Sequence, residues 1–125
     1  ARHLRKMLGG GMRQAGVLAA AGIVALDQQV NLLAADHRRA KRLAEGLAAI
    51  PGIEFEMGMP QTNMVFPSLT ASVKSNAAEV VKKLATENIR IGAVGERKFR
   101  MVTHTWISDE GVERTIAAMR TALSE

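Results

Sequence analysis

Few residues in this chain could do chemistry, and Arg100 is the sharpest of them. In the run Phe99 to His104, a period of two puts Phe99 and Met101 on one face of a strand. Arg100, Val102 and His104 fall on the other. An arginine in mid-strand between Phe and Met does not stand where a solvated charge usually stands. A guanidinium grips a carboxylate through a planar two-bond fork, so Arg100 is a candidate carboxylate anchor. An edge-strand arginine held in a salt bridge fits the same pattern.

The second candidate is the stretch KMLGGGMRQAGVLAAAGIVAL, Lys6 to Leu26. Gly9, Gly10 and Gly11 let a ligand approach the main chain closely. Lys6 and Arg13 flank them, and Gln14 is the last polar group before an Ala/Gly-rich run that reads as a helix buried on nearly every face. A basic, Gly-rich start to a buried helix suits a phosphate or a carboxylate. The spacing is neither that of a P-loop nor that of a dinucleotide fingerprint, and a plain helix break explains three glycines equally well. His3, His37 and His104 have no metal-ligand spacing, and the chain has no cysteine. No metal site and no nucleophile elbow is expected.

The elements that must position these residues follow from periodicity. Ala1 to Leu8 reads as the tail of a helix ended by the glycines. From Arg13 a long helix runs on, apolar all round up to Leu26. Beyond Asp27 it becomes amphipathic, with Val30, Leu33, His37, Ala40, Ala44 and Leu47 on one face. Pro51-Gly52 ends it. Ile53 to Met57 and Thr62 to Phe66 read as strands, the second stopping near Pro67. Asn76 with Glu79 forms a capping box for a short helix carrying Val80, Val81, Leu84 and Ala85. Ile89 and Ile91 begin a third strand, Gly92 to Arg97 turns, and Lys98 to Thr103 is the fourth. Ser108 caps a final helix with Val112, Ile116, Met119 and Leu123 inward. The expected fold class is α+β: a small, mostly antiparallel four-stranded sheet with helices on one face, preceded by a long connector helix. Two parts are expected, residues 1–33 and residues 34–125.

Composition sets outer limits. The chain has 125 residues, 47% of them hydrophobic, and only four aromatic side chains, Phe55, Phe66, Phe99 and Trp106. The formal charge is +5, and Arg2, Arg5, Lys6 and Arg13 all precede the first acid, Asp27. Such a cluster raises a phosphate- or nucleic-acid-binding module as an alternative. The scarcity of stacking platforms argues against nucleic acid. No signal peptide is visible. The run Ala15 to Leu26 stops at Asp27 and is too short to span a bilayer. Zero cysteines suit a cytoplasmic protein. The charged, helix-like start without an initiator Met suggests a fragment.

Three stretches carry a resemblance: KMLGGGMRQAGVLAAAGIVAL, QTNMVF at Gln61 to Phe66, and RMVTH at Arg100 to His104. Together they resemble the C-terminal third of the low-specificity L-threonine aldolases. These are pyridoxal-phosphate (PLP) enzymes of the aspartate-aminotransferase-like fold type I. The resemblance implies a lyase of amino-acid metabolism that cleaves L-threonine, L-allo-threonine and related β-hydroxy-α-amino acids to glycine and an aldehyde. Another PLP-dependent lyase of the same fold is the alternative. By the same resemblance Arg100 holds the substrate's α-carboxylate, and Arg13 and Lys6 lie where the cofactor phosphate is reached across a subunit interface. Asn63 is assigned to local backbone hydrogen bonding. The lysine that binds PLP would lie before Ala1, so no catalytic residue is expected here and the chain alone is expected to be inactive. A homotetramer, a dimer of dimers in the cytoplasm without nucleic acid or membrane, completes the implied picture.

Overall fold

A computed structural model describes residues 1–124 of the chain. It divides into two compact units, Ala1–Asn31 and Leu32–Glu125.

In the first unit, helix α1 (Arg2–Met7) ends where the sequence turns to glycine. Gly9 takes φ +84°, a conformation that costs glycine nothing and other residues dearly. The N–H of Gly9 then donates to the Lys6 carbonyl at 3.3 Å and that of Gly10 to the Arg5 carbonyl at 2.8 Å. This is a Schellman ending, in which two orphan carbonyls are satisfied by the turn itself. The glycines therefore close one helix and do not open the next. Helix α2 (Gly16–Val24) begins five residues after Gly11, with no side-chain cap.

None of α2 is buried: Val17 is 73% exposed and Ile23 59%. The composition reads as a helix covered on all sides, and the described residues do not supply the covering atoms. Nor does the helical path stop at Leu26. A π turn (Ala25–Gln29) and a 3₁₀ turn (Val30–Leu32) carry it through Asp27 into α3 (Leu33–Ala48). The whole path, Gly16–Ala48, has 33 residues and is long and apolar enough, by length and composition, to cross a membrane. The run Ala15 to Leu26, taken alone, is expected to be too short for a bilayer; the helix does not end with that run, and the longer path passes the test of length and composition.

In the second unit, α3 buries Asp36, Ala40, Leu43, Ala44 and Leu47. Val30, Leu33 and His37 are exposed, so the buried stripe is turned from the expected one and takes in Asp36 and Leu43 instead. Helix α4 (Ala77–Thr86) has its capping box, with the Glu79 N–H on Asn76 Oδ1 and the Asn76 N–H on Glu79 Oε2, both at 2.9 Å. It ends in a second Schellman turn, where Asn88 takes φ +58° and the Ile89 N–H reaches the Leu84 carbonyl. Helix α5 (Asp109–Ser124) buries Val112, Ile116, Met119 and Ala122. It packs closely on α3: a Cβ at Gly46 would lie 2.3 Å from Ile116 Cδ1.

Among the described residues there are five short strands in two antiparallel sheets, not four in one. They are β1 (Ile53–Glu54), β2 (Met64–Val65), β3 (Ser68–Leu69), β4 (Gly92–Ala93) and β5 (Phe99–Val102). β1 pairs with β3, and the other sheet has the order β2-β5-β4. Pro67 accounts for the split. It has no N–H to give a ladder, so the stretch 64–69 breaks into two strands at that point. The first faces β5, with Val65 opposite Met101. The second pairs with β1 and touches Lys98 through one isolated bridge. The strand expected at Ile89 begins only at Gly92, because Ile89 is spent closing α4. The strand expected over Ile53 to Met57 stops at Glu54, and Met57 is 78% exposed. Phe99 and Met101 enter a core shared with Leu47, Leu84, Ile116 and Met119.

Candidate functional site

β5 alternates as its sequence requires: Phe99 and Met101 are buried, Arg100 and Val102 are exposed. Arg100 stands opposite Gly92 on β4, a neighbour without a side chain to cover it. Among the described residues Arg100 makes no ion pair and no hydrogen bond through its guanidinium. The edge-strand salt bridge that competed with a ligand role is absent from the described residues. Arg100 lines a groove of about 500 Å³, within the range of small-ligand pockets. Arg90, Arg114, His104 and Trp106 line it too.

The strand under Arg100 is held from both sides. The Thr103 N–H donates to the Asn63 carbonyl at 2.9 Å, and Asn63 Nδ2 donates back to the Thr103 carbonyl at 2.8 Å. Thr103 is buried, and its hydroxyl donates to the Asp36 carbonyl at 2.7 Å. The stretches 61–66 and 100–104, far apart in sequence, are thus antiparallel neighbours. The bond of Asn63 is to backbone, as assigned, but forty residues away and not local. Asp36 itself is buried, and its Oδ1 has no hydrogen-bond partner among the described residues; Arg39 Nη1 lies 3.9 Å from it. Arg39 spends its Nε on Asp109 at 2.8 Å, which ties α3 to the start of α5.

At the groove's mouth, His104 and Trp106 meet edge to face, with ring centroids 5.8 Å apart. The backbone N–H of Trp106 donates to His104 Nδ1 at 3.4 Å. Trp106 is 88% exposed. Arg97 has a structural task that the sequence did not reveal: its Nε and Nη2 donate to the carbonyls of Leu69, Thr70 and Val73. Arg90 was also overlooked, although the Ile89-Arg90-Ile91 alternation already put it on a wet face.

Lys6 and Arg13 are exposed in the first unit, and neither has an ion pair among the described residues. Their charges are thus available to a phosphate. The backbone is less available than the glycine run suggests, since the N–H groups of Gly9 and Gly10 are taken by α1.

Comparison with known proteins decides the family. Residues 1–71 match the family model described as "Beta-eliminating lyase".

The chain belongs to the beta-eliminating lyase family.

Two curated members named as aldolases align along nearly all of it. "Low-specificity L-threonine aldolase 1" of Arabidopsis thaliana is 37% identical over 98% of this chain and 34% of its own length. "Low specificity L-threonine aldolase" of Escherichia coli (strain K12) is 38% identical over 96% of this chain and 34% of its own. The chain spans about a third of the length of these relatives. Among solved structures, a C-DES mutant with glycine covalently linked to its PLP cofactor superposes with a TM-score of 0.61. It is 19% identical over 69% of this chain and 22% of that one. At that identity the likeness carries the fold: over the matched part this beta-eliminating lyase family chain is α+β with small antiparallel sheets, as in fold-type-I PLP enzymes.

Proposed function

We propose that this chain is the C-terminal third of a PLP-dependent low-specificity threonine aldolase. The intact enzyme would cleave L-threonine and L-allo-threonine between Cα and Cβ to glycine and acetaldehyde. The observation that carries this reading is Arg100: a mid-strand guanidinium, unpaired among the described residues, exposed in a groove of ligand size. The names of the aligned relatives supply the reaction.

Each residue then has a task its geometry fits. Arg100 takes the substrate's α-carboxylate in a two-pronged fork. A carboxylate fixed at both oxygens fixes the rotation about the neighbouring bond, so binding turns into orientation of the scissile Cα–Cβ bond. Asn63 and Thr103 hold the strand that presents it. Lys6 and Arg13 would hold the cofactor phosphate, for which two uncommitted cations are a fit. When bound, PLP supplies the electron sink for the pair left on Cα. The lysine that anchors it is assigned to the part of the enzyme beyond this third. None of the six lysines here stands in the Ser-x-Lys-Gly setting expected of it. The bare apolar surface of α2 suits burial against other protein, and the assembly we propose is a cytoplasmic homotetramer built as a dimer of dimers, without nucleic acid or membrane.

The test is the intact enzyme with Arg100→Lys, which keeps the charge and loses the fork. The expected fall in kcat/KM for threonine is roughly tenfold to a thousandfold, with PLP content unchanged. Full activity, or a loss explained by missing PLP, would show that Arg100 does not hold the substrate.

A further inference from the structure

The groove around Arg100 holds a second uncommitted arginine, which the grip on one carboxylate does not use. Arg90 precedes β4 by two residues, and burial alternates through this stretch: Ile89 is buried, Arg90 exposed, Ile91 half-buried, Gly92 exposed. Arg90 is exposed two residues before Gly92, and Gly92 pairs with Arg100. Both arginines line the same groove. Arg114, also in the lining, is committed to the carbonyl of Glu87. Arg90 and Arg100 have no ion pair or side-chain hydrogen bond among the described residues. Among the described residues that line the groove, none is an aspartate or glutamate. Two like charges in one groove without a described acid beside them repel each other, and a ligand carrying two negative charges relieves that repulsion.

We propose that this groove is a two-carboxylate subsite: Arg100 takes the α-carboxylate of a β-hydroxy-α-amino acid, and Arg90 takes a second carboxylate carried on Cβ. The proposal rests on the aldolase reading above and narrows its substrate class. Threonine's methyl group offers Arg90 nothing, whereas β-hydroxyaspartate offers an anion. The cleavage remains redox-neutral. The Cα–Cβ bond breaks and its electron pair passes to Cα, which takes a proton. The β-hydroxyl loses its proton as Cβ becomes the aldehyde carbon. The products are glycine and glyoxylate.

Two measurements separate this proposal from the reading beneath it. Trp106 is the chain's one tryptophan and lines the groove, so its fluorescence reports occupancy of the 125-residue chain without any turnover. Succinate should bind at least roughly tenfold more tightly than propionate, and Arg90→Gln should abolish the difference, at the lower end of a charge-assisted hydrogen bond. In the intact enzyme, the ratio of kcat/KM for β-hydroxyaspartate to that for threonine should fall by roughly tenfold or more in Arg90→Gln. Arg90 is exposed, so the variant should fold, and circular dichroism checks it. If the enzyme cleaves threonine but the ratio does not move, or if succinate and propionate bind alike, the two-carboxylate subsite is wrong. If threonine is not cleaved at all, the aldolase reading fails, and the fluorescence contrast alone still decides whether the groove holds two carboxylates.

Discussion

Glu56 and Lys98 form an ion pair at 2.6 Å beside the isolated bridge between Ser68 and Lys98. The hydrogen bond from Lys98 and then its charge hold the Glu56 carboxyl below its ordinary pKa. A depressed folded value means the pair's contribution is fully present above the unfolded pKa and is lost as pH falls through the folded one. Both side chains are about half exposed, so the effect on stability is small. NMR titration of the Glu56 carboxyl should show the depressed midpoint, and Lys98→Met should return it to the ordinary carboxylate range. An unchanged midpoint in Lys98→Met would assign the shift to something else. At the same scale, Arg13→Ala in the intact enzyme should mirror Arg100→Lys. Cofactor retention should weaken while kcat/KM for threonine, measured with PLP in excess, falls less. Equilibrium dialysis against PLP beside steady-state kinetics checks it; tight PLP in Arg13→Ala would remove Arg13 from the phosphate site.

Elements were legible wherever one local rule fixed them. Asn76 with Glu79 announced α4, Ser108 with two acids announced α5, and the glycines announced the end of α1. The Phe99 to Val102 alternation gave β5 and the exposed side of Arg100. Strands that depend on a partner were not legible. Ser68–Leu69 carries no alternating signal, and only the missing N–H of Pro67 separates it from β2. The buried stripe of α3 was set a step off because Asp36, a charged residue, lies inside it beneath the Thr103 hydroxyl. Arg90 escaped because the groove it shares with Arg100 is formed only on folding. Gly46 carries the α3–α5 contact. Gly46→Ala gains about 1 kcal/mol of helix propensity. It also drives a methyl into Ile116 Cδ1, Cγ1 and Cγ2, and overpacking costs about 1–3 kcal/mol. Ile116 is β-branched and stiff, so net destabilisation is expected in a urea melt, and Gly46→Ala with Ile116→Val should recover part of it. A Gly46→Ala variant more stable than the parent would show that the helices can part freely.

For the whole molecule, the informative surface is α2. Val17, Leu18, Ile23 and Val24 are all exposed, as is Leu26 in the π turn that follows. At about 25 cal/mol per Å² of apolar area, a few hundred Å² left in water favours any partner by several kcal/mol. Light scattering of the purified chain should show concentration-dependent self-association, and Val17→Asp with Ile23→Asp should suppress it. A monodisperse monomer at high concentration would leave α2 content in water. The family was legible in three short stretches because they carry its wording. The exposure of α2 was not, because an all-apolar composition reads as burial and none of the described residues buries this helix. On the proposed reading, this chain presents substrate and phosphate ligands while the cofactor lysine lies elsewhere in a longer aldolase. Borohydride trapping of the PLP-loaded intact enzyme, followed by peptide mass mapping, tests it most directly. One stoichiometric adduct is expected outside the sequence of these 125 residues, in an enzyme that releases glycine and acetaldehyde from threonine. A single adduct on one of the lysines of this chain would contradict it.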